Sequence, residues 1–253
     1  MRLFERNRRK TTLTAAGSAF RDDAARALSQ LDQAIRKARL AGSGKLGVLR
    51  IGFISTVGVE IVPNIIRQFR ELNPEVEFSL RAIPTADQVR MLETGSLDIG
   101  FFRLPIGGHS ALEVVTVHRE RFVLVVPASH KLAKRRRVRL SEISGEDFVM
   151  YERTYAPGFH DLIFGMLRDA RIVPNVSQTA AELSMLISLV DARMGVAILP
   201  LSAVKHSVAS VVACNILDGI PMSEIGMAVR KGTRAPVIDN FRSFALRNLG
   251  LSS

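Results

Sequence analysis

A single cysteine among 253 residues is the scarcest reactive group in this chain. Cys214 alone cannot close an internal disulfide, and no paired-cysteine framework points to secretion. It lies in the apolar run VASVVACNIL (208–217), where an inert core thiol is expected. No apolar run approaches the roughly 20 residues that span a bilayer, and the N-terminus has neither an h-region nor a small-residue cleavage site. These absences predict a cytoplasmic protein with no membrane partner. The five histidines, His109, His118, His130, His160 and His206, show no H-x-x-x-H spacing and no neighbouring cysteine, so no metal site is expected. There is no Walker loop, and nothing else calls for a cofactor. The pair Ser202 and Lys205 matches S-x-x-K, but no S-D-N accompanies it and residues 231–233 read K-G-T rather than K-T-G. The chain carries no positive sign of an enzyme.

Positive charge is plentiful but uneven. Of a net +11, residues 1–50 contribute 12 Lys/Arg against 4 Asp/Glu. Charge concentrated at one end fits nucleic-acid contact, and it equally fits a solvated basic tail.

The 14–41 segment reads as one long helix. Phe20, Ala24, Leu28, Leu31, Ile35 and Ala38 recur at spacings of three and four, lining one face. Such a stripe is covered either by a second copy of the chain or by its own domain. AGSGKLG (41–47) ends the helix as a hinge. Its Gly42, Gly44 and Gly47 match G-x-G-x-x-G, yet the run follows a helix and opens a strand, the reverse of a dinucleotide site.

Beyond the hinge, strands and helices alternate. VLRIGFI (48–54), VEFSLRAI (76–83) and LDIGFFRL (97–104) read as strands, with helices at 58–74 and 86–95 between them. This order predicts a parallel sheet. A second unit follows, with strands at 121–128, 147–151, 175–180, 196–200 and 224–232, and helices at 158–172, 181–195 and 236–249. The fold class is therefore α/β, with two lobes that leave a cleft at the C-terminal ends of their strands, where open α/β sheets bind ligands.

RLFERNRRKTTLTAAGSAF, LRIGF, LDIGF, VLVVPASHKLA and GVAILP, taken in order over nearly the whole chain, resemble a LysR-type transcriptional regulator. The resemblance rests on Leu3, Phe4, Arg6, Leu13, Thr14, Ala16 and Gly17 at the N-terminus. It implies three parts. Residues 1–13 would be the wing end of a winged helix-turn-helix, and 14–41 a linker helix that dimerises through Phe20, Leu28, Leu31 and Ile35. Residues 47–253 would form an effector domain similar to type 2 periplasmic binding proteins, with lobe I at 47–120 and 223–253 and lobe II at 121–222. A recognition helix would precede residue 1, so Arg6, Arg8, Arg9 and Lys10 would supply only wing-type contacts to DNA. The implied partners are DNA in the full-length protein, a second copy in a dimer or tetramer, and a small carboxylate effector. A solute-binding protein of the same fold is the alternative.

The resemblance extends to the branch that senses acids from aromatic-compound breakdown. It assigns effector contact to Ser55 and Thr56 in GFISTVG, to Thr85 in IPTADQ and to Arg103 in GFFRLP. Pro157 and Phe159 in YAPGFHD would close the pocket from the other lobe. The expected chemistry is carboxylate held by hydroxyls, by helix N-termini and by a bidentate guanidinium. Each residue also has a plain structural reading: helix caps for Thr56 and Thr85, an ion pair for Arg103, core for Phe159. Alanine at Thr56 and Arg103 is expected to abolish the effector response without unfolding the chain.

Overall fold

Two mixed sheets, each sandwiched by helices, follow an N-terminal hairpin and a long helix in the computed structural model, which describes residues 1–7, 10–108, 110–205 and 210–249. Strands β1 (Phe4–Asn7) and β2 (Lys10–Leu13) pair antiparallel, in register from Phe4 with Leu13 to Asn7 with Lys10. Of the expected wing contacts, Arg6 and Lys10 lie on these strands, while Arg8 and Arg9 lie outside the described residues.

Helix α1 spans Ala15–Gly42. Thr14 starts it, accepting the Gly17 N–H at 2.9 Å and donating its hydroxyl to the Arg2 carbonyl at 2.9 Å. One side chain thus caps the helix and ties down the hairpin. Gly17 permits the contact: a Cβ there would sit 2.0 Å from the Leu3 carbonyl oxygen. We expect Thr14→Ala to weaken this end by about 1 kcal/mol, the usual value of an N-cap. Amide exchange in the first turn of α1 should accelerate roughly fivefold, with the sheet amides unchanged. The stripe is uncovered within the chain: Phe20, Leu28, Leu31 and Ile35 are all exposed, Leu28 at 62%. The far end is fastened instead. Asn240 donates to the Gly44 carbonyl at 3.0 Å and to Asn73 Oδ1 at 3.1 Å.

The first lobe begins with β3 (Gly47–Phe53), the short helix α2 (Ser55–Val59) and α3 (Ile61–Leu72). The sequence predicts one helix over 58–74; the structure starts it at Ser55 and breaks it at Glu60. Pro63 explains the break. Its ring would clash with the carbonyl of Val59 in a continuous helix, whereas the first turn of a new helix tolerates it. Next come β4 (Val76–Ala82), α4 (Thr85–Glu93), β5 (Ile99–Leu104) and β6 (Leu112–Glu120).

The chain then crosses into the second lobe. Its elements are β7 (Phe122–Pro127), β8 (Arg137–Val138), β9 (Asp147–Tyr151), α5 (Pro157–Asp169), β10 (Asn175–Ala180), α6 (Leu183–Asp191), β11 (Ala197–Pro200), α7 (Leu201–Lys205) and β12 (Val211–Ile216). It returns through β13 (Ser223–Arg230) and ends on α8 (Pro236–Asn248).

The first sheet has the order β4-β3-β5-β13-β6. Its β4-β3-β5 portion is parallel, as the alternating pattern predicts. β13 joins that parallel set from the other direction, running antiparallel to both β5 and β6 because it enters the sheet at the end where β6 leaves it. β5 is buried on both faces. Phe101 packs with Leu49, Phe69 and Phe241 beneath α3 and α8, while Phe102 packs with Val89, Leu92 and Leu97 beneath α4. The second sheet, β11-β7-β12-β8, is joined to the parallel pair β9-β10 through a bridge from Phe148 to Val196. Cys214 is buried there, as expected.

Candidate functional site

Helix starts from both lobes converge on one cavity. β3 delivers Ile54, Ser55 and Thr56 into the first turn of α2, and the loop after β4 delivers Thr85 as the first residue of α4. Arg103 stands near the end of β5. From the second lobe come Tyr151 at the end of β9, Ala156 and Phe159 at the start of α5, and Glu182 and Leu183 at the start of α6. Together these ten side chains enclose about 30 Å³ of free space, room for about one water molecule, so the lobes stand closed over the site. The place is the one that parallel α/β connections favour, outside the carboxyl ends of the strands.

The sequence-predicted residues Ser55, Thr56, Thr85, Arg103 and Phe159 all meet here. Pro157 does not line the cavity. It occupies the first turn of α5, where a missing N–H costs nothing, and its neighbour Ala156 takes the wall instead. Sequence reading also missed Tyr151, Glu182 and Leu183. Ser55, Thr56 and Thr85 came from the family resemblance, which assigns nothing to Tyr151 or Glu182; a search for polar residues where a strand hands over to a helix would have found both.

Arg103 is the electrostatic centre. It is 3% exposed and sits 5.4 Å from the Phe159 ring centroid by its guanidinium carbon. Nη1 donates to Glu120 Oε1 at 3.2 Å and to the Ser223 hydroxyl, and Nη2 donates to Thr56 Oγ1 at 3.3 Å. Burial pushes the guanidinium pKa down and the Glu120 carboxylate opposes it; an arginine stays charged under either influence. Part of the donor fork expected to grip a ligand carboxylate is thus committed to the protein's own carboxylate. Alanine at Arg103 is therefore expected to cost stability as well as ligand response, since it would leave Glu120, itself only 9% exposed, without its cation.

Glu120 reaches further. Its Oε2 accepts the Ser202 N–H at 2.6 Å and its Oε1 the Ser202 hydroxyl at 2.8 Å. Lys205 lies 3.8 Å from Glu60. The S-x-x-K pair is therefore engaged by two different carboxylates. Glu120 ends β6 and Ser223 begins β13, so Arg103 touches both points at which the chain crosses between lobes.

Other contacts span the cleft. Ser55 Oγ donates to Glu182 Oε2 at 2.8 Å, and the Ala86 N–H donates to the Tyr155 carbonyl at 3.1 Å. The Tyr151 hydroxyl is pushed up to about 12, chiefly by burial and then by the charge of Glu182, so it keeps its proton and can donate. A wider groove lies beyond Arg103, bordered by α3, α7 and α8 and by Glu60, Asn64, Gln68, His118, Arg119 and Arg121. The smaller cavity is the better ligand site: it pairs convergent hydroxyls with an apolar wall of Ile54, Ala156, Phe159 and Leu183. No cluster of metal-ligating side chains occurs, and no helix is long and apolar enough to cross a membrane, among the described residues.

Comparison with known proteins extends this picture. Residues 42–250 match the LysR substrate binding domain. The HTH-type transcriptional regulator YnfL of Escherichia coli (strain K12) is 32% identical over 250 residues, which cover 98% of this chain and 84% of that protein. The HTH-type transcriptional regulator AlsR of Bacillus subtilis (strain 168) is 31% identical over 240 residues, 94% of this chain and 79% of that one. Among solved structures, CbnR, a LysR family transcriptional regulator, superposes with a TM-score of 0.83 at 25% identity, over 96% of this chain and 84% of that chain. The effector binding domain of QuiR in complex with shikimate gives 0.74 at 23% identity, over 80% and 96%. The BenM effector binding domain with its effector benzoate gives 0.69 at 23%, over 79% and 91%.

Proposed function

The chain belongs to the LysR-type transcriptional regulators and carries their two-lobed substrate-binding domain, and from that premise we propose that its cavity senses a small, aromatic-derived carboxylic acid and passes the signal to DNA. The observation that carries the proposal is the meeting of Thr56, Thr85 and Arg103 with the apolar wall of Phe159 and Leu183 at the strand ends. Hydroxyls beside a guanidinium suit a carboxylate, and the wall suits a ring or short hydrocarbon. The shikimate of QuiR and the benzoate of BenM, both carboxylic acids, support this class of effector.

The division of labour we propose assigns 1–13 to the wing, 14–41 to dimerisation and 47–253 to the effector domain, with the lobes divided at 120/121 and 222/223. Arg6, Arg8, Arg9 and Lys10 contact DNA, and Phe20, Leu28, Leu31 and Ile35 pair with a second copy in a cytoplasmic dimer or tetramer. The route from cavity to helix is short. A ligand that alters the angle between the lobes also moves α1, because Asn240 on α8 holds the end of α1 to the first lobe. This is allostery in the strict sense only if ligand and DNA each favour one of the two lobe arrangements. The role is non-catalytic. The solute-binding alternative is not favoured, since the named relatives are transcriptional regulators.

The test is a thermal-shift screen of small acids. A ligand at 100 times its Kd stabilises by about 2.7 kcal/mol. Thr56→Val keeps the shape of the side chain and deletes the donor. Loss of a hydrogen bond to a charged group costs about 1.5–3 kcal/mol, so the variant should bind roughly 10- to 100-fold more weakly. A panel in which no acid raises the melting temperature, or a valine variant that responds like the parent, would defeat the proposal.

A further inference from the structure

We infer that the molecule held here is two-ended, with an acid group against Thr56, Thr85 and Arg103 and a hydroxyl or ammonium donor against Glu182, which therefore selects compact hydroxy- or amino-acids over dicarboxylates. The inference rests on the small-acid reading above and adds the nature of the second end. The charges around the cavity carry it. Arg103 is the cation on the wall, and Glu120 stands against it at 3.2 Å. Glu182 also lines the cavity, and among the described residues its carboxylate has no lysine or arginine within 4.0 Å. Its partner is the Ser55 hydroxyl, 2.8 Å away on the opposite lobe. The lining therefore holds one carboxylate, Glu182, beside the Arg103 guanidinium and the hydroxyls of Ser55, Thr56 and Thr85.

A plain dicarboxylate would place one acid group against Thr56, Thr85 and Arg103 and set its second charge against Glu182. A hydroxyl or ammonium group would instead donate to Glu182; a hydroxyl could also accept from the Tyr151 phenol, and an ammonium could donate to the phenol oxygen, since Tyr151 lines the same cavity. Glu182 is exposed at the rim, so it would swing away from a like charge were it free to do so. The Ser55 bond opposes that movement. It also places Glu182 where a ligand must either engage it or break an interlobe contact.

The experiment is titration calorimetry on the full chain with a matched set: benzoate, 3-hydroxybenzoate, 3-(aminomethyl)benzoate and isophthalate, with 5-hydroxypentanoate against glutarate as the aliphatic counterpart. The parent should prefer the donor-bearing member over the dicarboxylate by about tenfold or more. Glu182→Gln removes the charge and keeps the shape, and should bring the two within about threefold, mainly by tightening the dicarboxylate. Ser55→Ala should move the ratio partway, because Glu182 is then released from its tether. A parent that prefers the dicarboxylate, or a ratio unchanged in Glu182→Gln while benzoate still binds, overturns the inference and leaves the small-acid reading standing. If no acid of either series binds, the small-acid reading itself falls and this inference falls with it.

Discussion

Replacing Arg103 with methionine is expected to lower stability by about 3–5 kcal/mol, because it leaves a buried carboxylate without its cation. For a chain of this size that is roughly 6–20 °C in melting temperature. The cause is local. Glu120 would keep its two bonds from Ser202 but lose the guanidinium, and Ser223, fully buried, would lose its donor. The double variant Arg103→Met with Glu120→Gln removes the stranded charge as well, and should recover about 1 kcal/mol or more of the loss. Thermal melts of the four proteins complete the cycle. Additive losses would show that Arg103 and Glu120 do not act as a pair. The same result bears on any ligand assay: a silent Arg103 variant must first be shown to be folded.

Gly158→Ala should reduce ligand affinity by about tenfold or more, equivalent to about 1.4 kcal/mol. The second residue of α5 packs directly on the loop that follows β5, and a Cβ there would lie 1.9 Å from the Pro105 carbonyl oxygen and 2.8 Å from its carbon. Backbone meets backbone, so no rotamer change relieves the clash. Overpacking usually costs about 1–3 kcal/mol when it falls within a core. Here it falls between lobes, which can part and leave each core intact. The ligand-free melt should therefore fall by only a few degrees, while the cavity, one residue away at Phe159, is held open. A variant with full affinity would mean that the lobes need not approach this closely around the ligand.

Much of the frame was readable because the relevant forces act locally. The alternation of strands and helices and the 28-residue α1 follow from short-range periodicity, whereas Ser55, Thr56, Thr85, Arg103 and Phe159 were legible only through the resemblance to the family. The reading failed where the decisive partner is distant. Arg103 meets Glu120 and Ser223 across 17 and 120 positions, and Ser55 meets Glu182 across 127. No spacing marks such pairs. β6 and β12 were missed for another reason. LEVVTVHRE is only partly buried and its apolar residues do not alternate regularly, and VVACNI reads as unpatterned apolar core until it is seen pairing with β7. The break at Glu60 was legible in principle, since Pro63 forbids a continuous helix.

The two crossings between lobes lie side by side, with Glu120 directly opposite Ser223 in the β6–β13 ladder. Mechanically, a single connecting strand would act as a swivel with three rotations available, whereas two neighbours in one ribbon leave bending across the ribbon as the soft direction. Twist and sideways rocking would have to shear the ladder between them. A relative movement of the lobes would follow that soft direction, and Arg103 is bonded to both strands where they cross.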